Sequence, residues 1–228
     1  MELELEELSR CLEMPSVTVE RWIRQGWIPV KKQGSTCLFS NSALKKWARD
    51  HNIQYHPPGQ RPEQQPAEEL ITLGGAVEKG GIYYGIAGDE VDEVLSRAVF
   101  SMENLETEDD RRIFLERLRK REQMMSTGVG NGVAIPHPRT PLNHNGIPTQ
   151  IAVCFLEKPV DYRAVDKKPV HVLFVLAAKT SKQHLHLLSR ISYCLRDNDF
   201  LRLLSEIPDD RTLKDRIAQF DAHLNGSG

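Results

Sequence analysis

The sequence predicts an α+β protein in which helices flank a mixed β-sheet, with a small helical domain in front of it. Three observations support this fold class. A polar stretch rich in Pro, Gln and Gly at residues 54–68 divides the chain, helical periodicity prevails before it, and apolar strands alternate with longer helices after it. A chain of 228 residues is long for one domain and comfortable for two. We therefore expect domains at 1–53 and 69–228, joined by a linker at 54–68.

The first domain is predicted to be two helices, a short extended pair and a third helix. These elements are expected at residues 3–11, 17–24, 28–32, 37–39 and 41–51. Ser16 is suited to cap the second helix, because its hydroxyl can accept a hydrogen bond from a first-turn amide. Gly26 is suited to end that helix, since glycine readily adopts positive φ.

Residues 16–47 read SVTVERWIRQGWIPVKKQGSTCLFSNSALKKW, which resembles the excisionase-like and MerR-like winged helix-turn-helix families. In those families the second helix enters the DNA major groove and the hairpin, or wing, contacts the backbone. The resemblance implies groove and phosphate contacts from Thr18, Glu20, Arg21, Arg24, Lys31 and Lys32. Residues 16–49 contain seven Lys or Arg against one acidic residue, Glu20, so the positive charge is local.

The alternative interpretation is that this domain contacts protein, with its lysines forming a solvated face. Trp22, Trp27 and Trp47 are interpreted as core aromatics in either case. One copy makes few phosphate contacts, so tight DNA binding would need a homodimer.

The second domain is predicted to alternate strands and helices. Strands are expected at residues 82–86, 132–135, 150–156 and 170–177, and helices at 89–102, 109–125, 181–206 and from 208 onward. The last helix carries one apolar stripe, formed by Leu213, Ile217, Phe220 and Leu224. Helices covering both faces of the sheet would bury these apolar positions.

Residues 121–139, REQMMSTGVGNGVAIPHPR, concentrate groups that can hold a phosphate. Glycines let successive amides converge on an anion, and hydroxyl or amide side chains add donors. Arg121 offers a guanidinium that matches phosphate oxygens. His137 offers an imidazole nitrogen that is nucleophilic at neutral pH. The predicted side-chain donors of the phosphate site are Ser126, Thr127 and Asn131.

The segment STGVGNGVAIPH closely resembles the active-site sequence of fructose/mannitol-type IIA domains of the bacterial phosphotransferase system, including the nitrogen-regulatory branch. The resemblance implies that His137 accepts a phosphoryl group from the carrier protein HPr and that Arg121 steadies it. Residues 177–195, AAKTSKQHLHLLSRISYCL, resemble the family's helix with a second active-site histidine, which falls on His184. This chain departs from the family in having Pro138 and Arg139 after the acceptor, which affects how a partner would dock.

Thr180 and Gln183 have capping-box spacing, which places His184 in the first helical turn. There the helix dipole favours a neutral imidazole and an anion nearby. His186 points elsewhere on the helix, so no metal clip is expected, and His144 and His171 are interpreted as structural or incidental.

These features favour a regulatory phosphocarrier that needs no metal or organic cofactor. Alternatives are a IIA component that passes phosphate to a sugar-specific IIB partner, a DNA-binding regulator whose IIA-like half only senses an anion, and a protein-binding scaffold. The start of the chain lacks the pattern of a secretory signal, and its longest apolar run is too short to span a bilayer. The four scattered cysteines are typical of reduced core thiols. We therefore expect a cytoplasmic protein without an attached permease.

Overall fold

The computed structural model describes residues 2–34, 36–51, 53, 55–58, 70–142 and 147–225. The chain divides into two compact units, Met1–Glu69 and Leu70–Gly228. Most of the predicted linker and His144 lie outside the described residues. No helix in the described part is long and apolar enough to cross a membrane.

In its described residues, the first unit has three helices and a small antiparallel sheet. Its elements are β1 (Glu2–Glu4), α1 (Leu5–Cys11), α2 (Ser16–Arg24), β2 (Val30–Gln33), β3 (Thr36–Phe39) and α3 (Asn41–Asp50). The strands lie in the order β1-β3-β2. Gly26 follows α2 with φ +67°, so it ends that helix as expected.

Two local predictions for this unit were wrong. The first helix starts at Leu5 and not at residue 3, because Leu3 pairs with Cys37 across β1 and β3. The alternating Glu and Leu of this segment have the two-residue period of a strand. Ser16 is the first residue of α2 and not its cap. Pro15 occupies the N-cap position, where its carbonyl accepts from the amides of Thr18 and Val19.

The tryptophans of this unit form one aromatic cluster, with centroid distances of 4.9–5.8 Å and edge-on geometry. Trp47 is buried and donates from Nε1 to the Trp27 carbonyl at 2.8 Å, but the Trp27 side chain is 48% exposed. Trp27 therefore covers the edge of the core. Tyr55, which the sequence assigned to the linker, packs on this unit and donates to Asn41 Oδ1 at 2.7 Å.

The second unit is a five-stranded mixed sheet covered by helices on both faces, which confirms the predicted fold class. Its elements are α4 (Leu73–Gly80), β4 (Ile82–Ile86), α5 (Val91–Ser101), α6 (Glu108–Met124), β5 (Gly128–Gly130), β6 (Val133–Ala134), β7 (Gln150–Val160), β8 (Val170–Ala177), α7 (Ser181–Cys194), α8 (Asn198–Ser205) and α9 (Asp210–Asn225). The strand order is β4-β7-β8-β6-β5. The β4–β7 and β6–β8 pairs are parallel, and the β7–β8 and β5–β6 pairs are antiparallel.

Alternate residues of β7 and β8 enter two separate cores. Ala152 and Cys154 pack with α5 and α6, whereas Ile151 and Val153 pack with α4, α7, α8 and α9. Because both faces are buried, these strands are apolar throughout, as the sequence indicated. All four cysteines are buried free thiols.

Three features of this unit differ from the predictions. Helix α4 and strand β5 were not predicted, because both are short and rich in glycine. The helix predicted at 181–206 is two helices, since Asp197 accepts from the Phe200 amide at 2.8 Å and starts α8. Gly80 lets α4 approach β7 closely. A Cβ there would lie 2.1 Å from the Ile151 carbonyl oxygen.

Candidate functional site

His137 lies three residues after the end of β6, on a segment fastened to the neighbouring strand. The Leu176 amide of β8 donates to the Pro136 carbonyl at 2.9 Å. His137 Nδ1 donates to the Ile135 carbonyl at 2.7 Å. Because a carbonyl can only accept, Nδ1 carries the ring hydrogen and Nε2 keeps its lone pair. The ring is part-buried, so its orientation is fixed while one side faces outward.

The start of α7 positions His184, as its capping-box spacing predicted. Thr180 Oγ1 accepts from the Gln183 amide at 3.2 Å, and the Thr180 carbonyl accepts from the His184 amide at 2.9 Å. Thr149, before β7, reinforces this turn. Its hydroxyl donates to Gln183 Oε1 and accepts from the Lys179 amide. His184 is 8% exposed.

The two imidazoles meet edge to face, with ring centroids 5.3 Å apart and an interplanar angle of 61°. Burial, and to a smaller extent a positive charge on His137, lower the pKa of His184 to about 4. Burial also lowers the pKa of His137, against the opposing effect of its hydrogen bond to Ile135. At neutral pH the pair is therefore uncharged, with a nucleophilic nitrogen on His137 and a neutral neighbour.

Arg121 completes the group from the last turns of α6. Its Nη1 donates to the Met125 carbonyl at 2.7 Å, which holds the guanidinium near the helix end. Its positive charge contributes to the lowered pKa of His137, so it lies within electrostatic reach of that ring. One turn earlier on α6, Arg117 contacts Thr140 Oγ1 at 3.4 Å. Arg117 was not selected from the sequence, because α6 carries many other basic residues.

The hydroxyls of Ser126 and Thr127 are engaged by the protein. Ser126 Oγ donates to the Tyr162 carbonyl at 2.5 Å and accepts from the Gly128 amide at 3.0 Å. Thr127 donates from its amide and hydroxyl to the Glu122 carboxylate at 2.9 and 2.5 Å. That these hydroxyls contact a phosphate stays a prediction. They fasten the segment between α6 and β5.

One amide of the glycine-rich turn contacts a carboxylate of the protein. Gly130, Asn131 and Gly132 have φ values of +98°, +52° and +75°. The Asn131 amide donates to Asp166 Oδ2 at 2.8 Å. This amide is therefore paired with Asp166, and phosphate binding by the turn stays a prediction. Gly132 is required for a further reason, since a Cβ there would lie 2.2 Å from His171 Nδ1.

Glu122, Thr149 and Asp166 are the supporting residues that sequence reasoning missed. Each accepts a hydrogen bond from a backbone amide of another segment, and none belongs to a recognisable motif. Only the Thr180–Gln183 spacing gave a signal for this support.

The candidate DNA-contacting residues lie on two elements of the first unit. Thr18, Arg21 and Arg24 lie on α2, where both arginines are exposed. Lys31 and Lys32 lie exposed on β2. Lys32 Nζ contacts Glu20 Oε1 at 2.6 Å, so this lysine is already paired with α2.

Two solved IIA structures share the fold of the second unit. The nitrogen regulatory protein IIA-Ntr of Neisseria meningitidis is 24% identical, with a TM-score of 0.52 over 65% of this chain and 97% of that one. The mannitol IIA enzyme of Escherichia coli, solved in complex with phosphorylated mannitol IIB, is 14% identical. Its TM-score is 0.51 over 60% of this chain and 94% of that one. At these identities the likeness establishes the fold alone.

The sequence family described as "Phosphoenolpyruvate-dependent sugar phosphotransferase system, EIIA 2" matches residues 77–220. The chain therefore belongs to this family. The nitrogen regulatory protein of Pseudomonas aeruginosa is 33% identical over 147 residues, covering 63% of this chain and 93% of that protein.

Other relatives are matched over part of their length only. The fructose-specific EIIABC component of Bacillus subtilis is 32% identical over 67% of this chain. The nitrogen regulatory protein of Klebsiella oxytoca is 37% identical over 47% of this chain. The chain spans 23% of the first protein and 66% of the second, less than two thirds in both cases.

Proposed function

We propose that this protein is a regulatory phosphocarrier, which accepts a phosphoryl group from an HPr-like protein on His137 and couples its phosphorylation state to DNA binding by the first unit. The observation that carries the first half is the orientation of His137. Its Nδ1 is hydrogen-bonded to the Ile135 carbonyl, and its Nε2 is left as the nucleophile beside a neutral His184. Similarity to nitrogen regulatory proteins supports a regulatory use.

The proposed reaction needs only positioning and charge. The Nε2 lone pair of His137 attacks phosphorus, the carrier's P–N bond breaks in line, and the carrier's imidazole nitrogen leaves with the electron pair. The step balances without adding or removing a proton when the phosphorylated ring of the carrier has a hydrogen on its other nitrogen: that ring leaves as a neutral imidazole, and the His137 ring, which keeps its hydrogen on Nδ1, takes up the positive charge. His184 then donates one hydrogen bond to a phosphoryl oxygen, and Arg121 balances the added negative charge. Ser126 and Thr127 act indirectly, by holding the neighbouring backbone.

The test is incubation of the full chain with phosphoenolpyruvate, enzyme I and HPr, followed by intact-mass analysis. We expect the mass of one phosphoryl group to be gained by the wild type and by His171→Gln, and to be absent from His137→Gln. Addition of that mass to His137→Gln, or no addition to a wild type under conditions that load a known IIA protein, would contradict the proposal.

A second candidate is transport, in which His137 passes its phosphoryl group to a IIB protein. The family's description and the fructose-specific relative favour it. The test is addition of purified fructose- or mannitol-specific IIB to the phosphorylated chain. Rapid loss of the phosphoryl group to IIB would favour transport, whereas retention would favour regulation.

The coupling to DNA rests on the exposed basic residues of α2 and β2. We expect the full chain to retain specific duplexes from a random-sequence pool and to change its affinity for them when phosphorylated. Equal affinity in the two states would leave a DNA-binding protein without the proposed coupling. An unphosphorylated chain whose DNA affinity responds to inorganic phosphate would instead support a pure anion sensor.

A further inference from the structure

Helix α2 presents a narrow outer face on which an aliphatic side chain precedes two arginines. Val17 is 80% exposed, whereas Val19, two residues later, is fully buried. Arg21 and Arg24 are exposed and follow Val17 at the i+4 and i+7 positions. These spacings place the three side chains along one side of a helix. The opposite side is fastened to the core by Val19 and Trp22.

The position of Val17 within the helix matters as much as its exposure. It is the second residue of α2, and no capping role requires a valine there. When a helix of this kind lies in the major groove, the residues near its N-terminus contact base edges. Polar side chains read donors and acceptors, but an aliphatic side chain can distinguish only the C5-methyl group of thymine.

The surroundings of this face suit DNA better than an apolar partner. Arg21, Arg24 and Lys31 are exposed, and the one acidic side chain of α2, Glu20, is neutralised by Lys32 at 2.6 Å. That contact also lowers the pKa of Glu20, so the carboxylate stays ionised and paired to β2. The Glu20 carboxylate, which would repel phosphates, is therefore paired with Lys32 of β2. The outer face of α2 keeps the positive charge of Arg21 and Arg24 beside the apolar side chain of Val17.

We propose that Val17 is a specificity-determining residue that contacts the C5-methyl group of one thymine in the major groove, with Arg21 and Arg24 holding α2 on the same half-site. This inference rests on the proposed DNA binding of the first unit. It predicts a preference at one base pair that depends on a methyl group and not on a hydrogen bond.

The experiment uses the full chain and a duplex enriched by its own selection from a random pool. Each thymine of the selected site is replaced singly by deoxyuridine, which deletes only the methyl group, and affinities are measured by fluorescence anisotropy at fixed salt. We expect one position at which uracil weakens wild-type binding about fourfold, as for the loss of one buried methyl group. Val17→Ala should weaken binding to the thymine duplex and be insensitive to uracil at that position.

Two matched variants control the interpretation. Val165→Ala removes an equally exposed valine, 87% exposed, from the second unit and should leave every affinity unchanged. Lys31→Ala should weaken all duplexes alike, because a phosphate contact carries no base information. Val17→Ala should retain the thermal melting profile of the wild type, since its side chain is exposed.

The failures are distinguishable. If duplexes are selected but Val17→Ala is as sensitive to uracil as the wild type at every position, the role of Val17 is refuted while DNA binding stands. If no duplex is retained under any condition, the DNA-binding proposal fails, and the role of Val17 fails with it.

Discussion

The burial of His184 predicts a pH dependence of stability that one substitution should remove. A pKa of about 4 against an ordinary 6.5 means that folding favours the neutral imidazole by at most about 3 kcal/mol. Between these pH values the unfolded chain binds more protons than the folded one, so the free energy of unfolding rises with pH. The contribution is complete above pH 6.5 and is lost as the pH falls towards 4.

The assay is urea unfolding of the full chain across this pH range, monitored through NMR signals of residues in the second unit. Tryptophan fluorescence is unsuitable, because Trp22, Trp27 and Trp47 all lie in the first unit. His184→Gln should lose less stability than the wild type on acidification, by up to about 3 kcal/mol. The lowered pKa values of His171 and His186 act in the same direction in both proteins and cancel in the difference, whereas the charge of His137 acts directly on His184 and does not cancel.

Direct titration of the imidazole resonances gives an independent check. A pKa of 6 or higher for His184, or parallel stability curves for the wild type and His184→Gln, would refute the idea that burial keeps this ring neutral.

Three further predictions concern packing and the site. Gly80→Ala should reduce the free energy of unfolding by about 3 kcal/mol, because the new Cβ would overlap the Ile151 carbonyl. Gly85→Ala should reduce it by only about 1 kcal/mol, because its Cβ meets open space and only the φ of +65° opposes the substitution. Equal losses for the two variants in urea denaturation would contradict this prediction. Thr149→Val should cost about 1–3 kcal/mol by leaving the Lys179 amide unpaired, and Thr149→Ser should restore most of it. Arg121→Gln should slow phosphorylation of His137 on the order of tenfold or more in rapid-quench measurements, Arg121→Lys should slow it less, and Arg117→Gln should serve as the control one turn away.

The apolar strands were predictable because a strand that is buried on both faces of the sheet consists almost entirely of apolar residues. Strands β7 and β8 are examples, and their alternating side chains fill both cores. A linker was predicted from composition, but the packing of Tyr55 on the first unit was not, because its contact with Asn41 is tertiary. Helix α4 was missed for a similar reason. Its glycines weaken helical propensity, and the packing that compensates is visible only when β7 is beside it.

The candidate site was predictable in its histidines and not in its anion contacts. His137 and His184 were identified through a resemblance to a family, since neither residue is distinctive by itself. The glycines were expected to enclose phosphate, but residue type cannot say which anion a turn holds. Here Asp166 reaches the Asn131 amide from another loop, and Glu122 takes both donors of Thr127. Folding brings these carboxylates to their partners, and no characteristic sequence spacing marks the contacts.

The most direct test of the proposed phosphocarrier is the site of the phosphoryl group itself. Protein with ¹⁵N-labelled histidine, phosphorylated through enzyme I and HPr, reports which ring nitrogen bonds to phosphorus. We expect phosphorus on Nε2 of His137, while Nδ1 keeps its hydrogen and donates it to the Ile135 carbonyl. A phosphoryl group on Nδ1 of His137, or on His184, would contradict the account.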